Sequence, residues 1–133
     1  MKTAELTGPA LDWAVAKCEG YECQFDDEVS GPWLVPQEGH LHDEKPLSTY
    51  SPSTSWSRGG PIIERELLRI SAEGSTASPV WVSSLVHVKE VTYTTGTALR
   101  YCTQRGHTPL SAAMRCYVVS KLGDEIELPA ELI

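Results

Sequence analysis

The chain has no apolar run approaching the length of a membrane span, which sets aside a helical membrane anchor within its 133 residues. Its first residues show no charged stretch followed by an apolar and then a small-residue segment, so no secretion signal is expected. Positive charge is scarce: 11 Lys and Arg stand against 18 Asp and Glu, for a net charge of -7. That balance argues against direct, sequence-independent attachment to DNA, RNA or an anionic membrane. It leaves room for a small anion, because a pocket on an acidic protein can be locally basic. There is no internal repeat, no low-complexity tract and no catalytic motif.

The chemistry of the reactive residues is equally bare. Four cysteines are present, Cys18, Cys23, Cys102 and Cys116, and without a secretion signal they are expected as reduced thiols. Cys18, Cys23, His40 and His42 include zinc-ligand types, yet their spacing matches no common zinc module. Cys102 or Cys116 with His107 has the composition of an activated thiol, but a strand and a helix are ordinary places for inert, buried cysteines. The acidic residues Asp26-Asp27-Glu28, Asp43-Glu44, Glu64 with Glu66, and Asp124-Glu125 are plentiful, and no spacing selects two of them as an acid and base pair. Glu64 and Arg69 are expected as surface charges. No catalytic residue, metal site or cofactor is therefore assigned.

A length of 133 residues with 41% hydrophobic and 22% charged residues fits one globular domain spanning 1–133, long enough to bury a core. The clearest element is the last helix, about 109 to 122. Thr108 suits its N-cap, Pro109 its first position and Gly123 its end. Leu110, Ala113, Met114, Tyr117, Val118 and Leu122 recur at helical spacing and predict one buried face. A first helix is expected near 8–19, capped by Thr7, with Leu11, Ala14, Val15 and Cys18 inward.

Between these, residues 21–48 are acidic, contain Pro32, Pro36 and Pro46, and read as irregular with a short strand near Gln24 or Trp33. A second helix should follow Tyr50-Ser51-Pro52-Ser53-Thr54, with Ile63, Leu67 and Ile70 as its stripe. Gly59-Gly60-Pro61 interrupts it, so the helix either begins at Pro61 or bends at the glycines. Residues 72–78 read as a loop, and 79–89 and 97–104 as strands of an antiparallel pair, with Thr94-Thr95-Gly96 as the turn. Asp124 to Pro129 is an acidic tail or a short edge strand. The fold class expected is α+β: a small antiparallel β-sheet packed with about three α-helices in a single-layer sheet sandwich.

Three blocks carry a resemblance: Glu5 to Ala16 (ELTGPALDWAVA), Tyr50 to Glu66 (YSPSTSWSRGGPIIERE) and Thr108 to Pro129. Together they resemble the NinX family of bacteriophage accessory proteins and, more loosely, the phage ABA sandwich domain. The Gly59-Gly60-Pro61 insert departs from the looser family and fits the NinX-like pattern. The resemblance implies phage origin and an accessory role; with neither a secretion signal nor a membrane span expected, the cytoplasm of the infected bacterial host is the expected location. It carries over no mechanism.

The best candidate site is a polar cluster at two helix entrances. Tyr50, Ser51, Ser53, Thr54, Trp56, Arg58, Gly59 and Gly60 surround one, and Arg105, His107 and Thr108 precede the other. Helix N-termini present free N–H groups and a positive dipole end, which favour phosphate or carboxylate. Glycines let a ligand approach the backbone, Arg58 can grip an anion bidentately, and Trp56 or Tyr50 can stack on a base. The same residue types also serve as plain caps and turns. Of the four tryptophans, Trp13 and Trp81 are expected in the core, and Trp33 and Trp56 at a pocket or interface.

Two kinds of target fit this sequence. One is a small anionic, nucleotide-type ligand of host defence, sequestered without chemistry. The other is a host or phage protein engaged through the acidic surface and the irregular segment, an arrangement that also allows mimicry of nucleic acid. A homodimer burying the exposed side of the sheet is open as well.

Overall fold

A computed structural model describes residues 1–25, 31–36, 44–85, 91–93, 96–98 and 102–132. In chain order these form α1 (Gly8–Cys18), β1 (Tyr21–Gln24), β2 (Trp33–Pro36), β3 (Lys45–Pro46), α2 (Trp56–Glu66), β4 (Leu68–Ser75), β5 (Ser78–Leu85), β6 (Val91–Tyr93), β7 (Gly96–Ala98), β8 (Cys102–Gly106) and α3 (Pro109–Leu122), with short 3-10 turns at Thr3–Glu5, Leu47–Thr49 and Ala130–Leu132.

The architecture is α+β, as expected, but its strands do not form one sheet. β1, β2 and β3 make one antiparallel three-stranded sheet, and β4, β5 and β8 make another. β6 and β7 pair separately, from Val91↔Ala98 to Tyr93↔Gly96.

The helix α3 forms where its local signals place it. The Thr108 hydroxyl accepts the Ser111 N–H at 3.0 Å, and the Thr108 N–H donates to the Ser111 hydroxyl at 3.1 Å. This reciprocal cap satisfies two groups that an open helix end would leave bare. At the other end Gly123 has φ +90, a conformation that costs a glycine little.

The single buried face predicted for α3 is too narrow. Ala112, Arg115 and Cys116 are buried along with Leu110, Ala113, Met114, Tyr117 and Val118, whereas Leu122 is only half-buried. The cause is position: β4, β5 and β8 pack against α3, and so do α1 and α2. A helix enclosed on more than one face loses the polar stripe by which a surface helix is recognised. α1 is similar, with Leu11 through Ala16 all buried, including Asp12 and Trp13. One cluster of buried side chains joins Leu11 and Val15 of α1, Leu34 of β2, Ile62 of α2, Leu68 and Leu85 of the second sheet, and Met114 and Tyr117 of α3.

The middle of the chain departs most from expectation. α2 begins at Trp56 and runs through Gly59, Gly60 and Pro61. It stops at Leu67, which takes the left-handed conformation (φ 55) and lies 61% exposed. Leu67 and Ile70 are thus not on its buried stripe: Ile62 is buried there, and Ile70 belongs to β4. The expected loop at 72–78 is mostly strand. β4 and β5 pair in register from Leu68↔Leu85 to Ser75↔Ser78, leaving only Thr76 and Ala77 as the turn.

Of the expected strand at 79–89, residues 86–89 lie outside the described residues. The strand expected at 97–104 is divided between β7 and β8. The antiparallel pairing itself is present, from Trp81↔Gly106 to Leu85↔Cys102, but the β6–β7 pair intervenes in the sequence, so the turn between the paired strands is not direct. Residues 94–95 of that turn lie outside the described residues.

The tail is tied to the start of the chain. Thr3 N–H donates to the Asp124 carbonyl at 2.8 Å, the Thr3 hydroxyl to the Gly123 carbonyl at 2.8 Å, and the Met1 amino group to the Ile126 carbonyl at 3.0 Å.

Candidate functional site

The turn into α2 is built mainly from backbone. The Ser51 carbonyl accepts the N–H groups of Thr54 at 3.1 Å and Ser55 at 2.7 Å, and the Ser55 carbonyl accepts those of Arg58 at 3.1 Å and Gly59 at 2.8 Å. Ser53 faces inward: it is buried, and its N–H donates to the Asp12 carboxylate at 2.9 Å. Burial raises the Asp12 pKa above the ordinary carboxylate value, opposed by its hydrogen bonding with Ser53. Gly59 is buried against the Pro52 carbonyl and the Leu110 side chain, where a Cβ would collide with both. Gly59 is therefore a packing contact between α2 and the start of α3, while a Cβ on Gly60 would meet open space.

A concavity of about 410 Å³ opens beside α2. The β1–β2–β3 register brings Tyr21 and Lys45 to it across the first sheet, and the turn after β3 adds Tyr50. The Tyr21 and Tyr50 rings lie 5.7 Å apart at 50°. Lys45 Nζ sits 5.2 Å from the first ring centroid and 5.6 Å from the second, a cation over two aromatic faces. α2 contributes Ser57, Arg58, Pro61, Ile62 and Arg65, and the end of α1 contributes Glu19.

Three cationic side chains thus face one carboxylate, on a chain of net charge -7. That carboxylate is already engaged: Glu19 accepts from Arg65 Nη2 at 2.8 Å and from the Tyr117 hydroxyl at 2.9 Å. Arg65 also meets Glu66 at 3.3 Å. Arg58, by contrast, is exposed and has no carboxylate in ion-pair range among the described residues. Burial, with Glu19 and Tyr21 nearby, pushes the Tyr50 hydroxyl well above its usual pKa, so it stays protonated at neutral pH and Arg58 only partly offsets this.

A second concavity, of about 440 Å³, lies at the start of α3. Arg105, Gly106 and His107 line it, joined by Thr103, Gln104, Val80, Ala4 and Arg115. Arg105 Nε already meets Glu73 at 3.4 Å. Arg115 is buried within α3, donating from Nε to the Leu6 carbonyl at 2.9 Å and from Nη1 to the Arg105 carbonyl at 2.7 Å.

The proposed cluster is therefore divided. Tyr50 and Arg58 share one concavity; Arg105 and His107 share the other. Ser51, Ser53, Thr54, Trp56, Gly59, Gly60 and Thr108 line neither, with Trp56 55% exposed and Thr108 occupied in the α3 cap. Sequence reading missed Tyr21, Lys45 and Arg65, which carry no local motif, and Arg115, whose signal was a charge inside an apolar helix.

The thiols do not shift alike: hydrogen bonding with Cys116 holds the Cys102 thiol below its ordinary pKa, against burial, while the other three are held above theirs. Cys102 and Cys116 are buried opposite each other, Cys102 Sγ lying 3.5 Å from the Cys116 carbonyl and Cys116 Sγ 3.6 Å from the Cys102 carbonyl, whereas His107 is exposed. Hydrogen bonding with Cys102, together with burial, pushes the Cys116 thiol up. Burial pushes Cys18 up to about 12 and Cys23 to about 11. Among the described residues, no three His, Cys, Asp or Glu side chains are grouped to hold a metal ion. His40, His42, Asp43 and the acidic run at 26–28 lie outside the described residues. Among the described residues, no helix is long and apolar enough to cross a membrane.

A central helix packed against two other helices and the β4–β5–β8 sheet, with a second small antiparallel sheet beside α1, defines a small α+β domain that carries basic concavities on an acidic chain. The family model of NinX from bacteriophage P22 matches residues 2–121, and the chain belongs to that family of phage accessory proteins. No curated protein matches the chain.

Proposed function

We propose that this phage accessory protein works without chemistry, by binding a small anionic ligand of nucleotide type in the concavity beside α2. The observation that carries this reading is Arg58, an arginine without a described carboxylate partner beside Lys45 and the Tyr21–Tyr50 ring pair. Guanidinium groups bind phosphate bidentately, and an aromatic wall suits a base or other planar group. In the cytoplasm of an infected host, such a protein sequesters a signal nucleotide of host defence.

Thermal unfolding against linear and cyclic nucleotides tests the proposal. A ligand present at 100 times its dissociation constant adds about 2.7 kcal/mol, a rise of several degrees for a domain of this size. The rise should vanish in Arg58→Ala. A panel that shifts nothing, with inorganic phosphate and pyrophosphate included, overturns the reading.

A further inference from the structure

The β4–β5 ribbon reaches past the rest of its sheet. β8 pairs with β5 only from Trp81 to Leu85, while β4 continues to Ser75. Residues 71–80 are exposed throughout. Among the described residues β4 is an edge of its sheet; it is eight residues long and contains no proline. Bare edges of this length offer unpaired backbone groups to another strand, and proteins usually blunt them with proline, bulges or lysine. Alternation along β4 puts Arg69, Ser71 and Glu73 on one face, and Ile70 and Ala72 on the other.

We propose that this edge is a self-association surface, on which β4 of one copy pairs antiparallel with β4 of a second about a two-fold axis at Ser71. The charges select the occupant and the register. With the axis at Ser71, Arg69 of each copy stands directly opposite Glu73 of the other, so one symmetric contact forms two cross-strand ion pairs. On the other face Ile70 stands opposite Ala72. Moving the axis to Ala72 puts Arg69 opposite Ser75 and Ile70 opposite Gly74; moving it to Ile70 puts Arg69 opposite Ser71. Neither alternative pairs the charges, and cross-strand opposite charges stabilise a ladder while like charges oppose it.

Both charges are available. Among the described residues Arg69 has no carboxylate in ion-pair range, and Glu73 has only the exposed contact to Arg105 Nε at 3.4 Å. In the dimer Glu73 lies between Arg105 of its own copy and Arg69 of the other. The isologous contact extends the β4–β5–β8 sheet across the two copies. It is independent of the concavity beside α2.

Sedimentation velocity of the whole chain, from micromolar to millimolar concentration and at low and high salt, should show a reversible dimer that salt weakens. Arg69→Glu and Glu73→Arg each set like charges opposite one another twice, and each should weaken self-association by about tenfold or more. Mixing the two variants should restore association as a heterodimer, because one copy then carries two negative charges and the other two positive. Amide hydrogen exchange of the wild type gives a reading that needs no variant: the β4 amides should slow as protein concentration rises. A wild type that stays monomeric to millimolar concentration overturns the proposal. So does a dimer indifferent to both substitutions, a mixture that fails to associate while both variants remain folded, or β4 amides that exchange independently of concentration.

Discussion

The carboxylate of Asp12, buried in α1, accepts the backbone N–H of Ser53 at 2.9 Å and so ties α1 to the turn that starts α2. Burial raises the Asp12 pKa above 3.8, its ordinary value. The folded state then holds this proton more tightly than the unfolded chain, so the group's contribution to stability falls as pH rises through the window between the two values. Above that window the buried charge is a constant cost.

Asp12→Asn retains an oxygen for Ser53 and removes the charge. It should be as stable as the wild type or more so at pH 7, and the wild type should gain on it as pH falls below the folded-state pKa. Asp12→Ala leaves the Ser53 N–H unpaired and should cost about 1–3 kcal/mol. Urea unfolding of the three proteins at several pH values checks this, and a wild type that loses ground to Asp12→Asn on acidification contradicts it.

Two adjacent glycines should respond unequally. A Cβ at Gly59 meets the Pro52 carbonyl and Leu110, so Gly59→Ala forces α2 away from its neighbours and should cost about 1–3 kcal/mol. A Cβ at Gly60 meets no atom outside its chain neighbours, but Pro61 follows it within the helix, so the gain in helix propensity is offset by crowding against the proline ring and Gly60→Ala should change stability by less than about 1 kcal/mol. Thermal unfolding of the pair separates packing from ligand approach as the reason for Gly59.

Arg115 holds the Leu6 and Arg105 carbonyls to α3 at 2.9 and 2.7 Å. Arg115→Met fills a similar volume without donors and should destabilise by about 1–3 kcal/mol, since the cost of an unpaired buried acceptor exceeds the gain from losing a buried charge. Equal stability by urea unfolding would show that water or another donor replaces the guanidinium.

Local signals and long-range ones were not equally legible in the sequence. α3 was readable because Thr108, Pro109 and Gly123 act within a turn of one another. Its enclosure was not, since burial of Ala112, Arg115 and Cys116 depends on which elements pack against it. β4 was misread because Ile63, Leu67 and Ile70 fit a helical period while Leu68, Ile70 and Ala72 alternate as a strand, and the break falls at Leu67, a leucine in a left-handed conformation that no glycine announces. The site shows the same division. Arg58 and Tyr50 were visible at a helix entrance, but Tyr21 and Lys45 reach them only through the β1–β2–β3 pairing. Arg105 and His107 are drawn instead to the second concavity.

The most direct test of the account is a calorimetric titration, with the nucleotide that shifts the melting point most, of wild type, Arg58→Ala and Arg105→Ala. Binding by the wild type and Arg105→Ala with loss in Arg58→Ala is the predicted result, placing the ligand beside α2. Binding that survives in Arg58→Ala, or is lost only in Arg105→Ala, would contradict it and move the site to the start of α3.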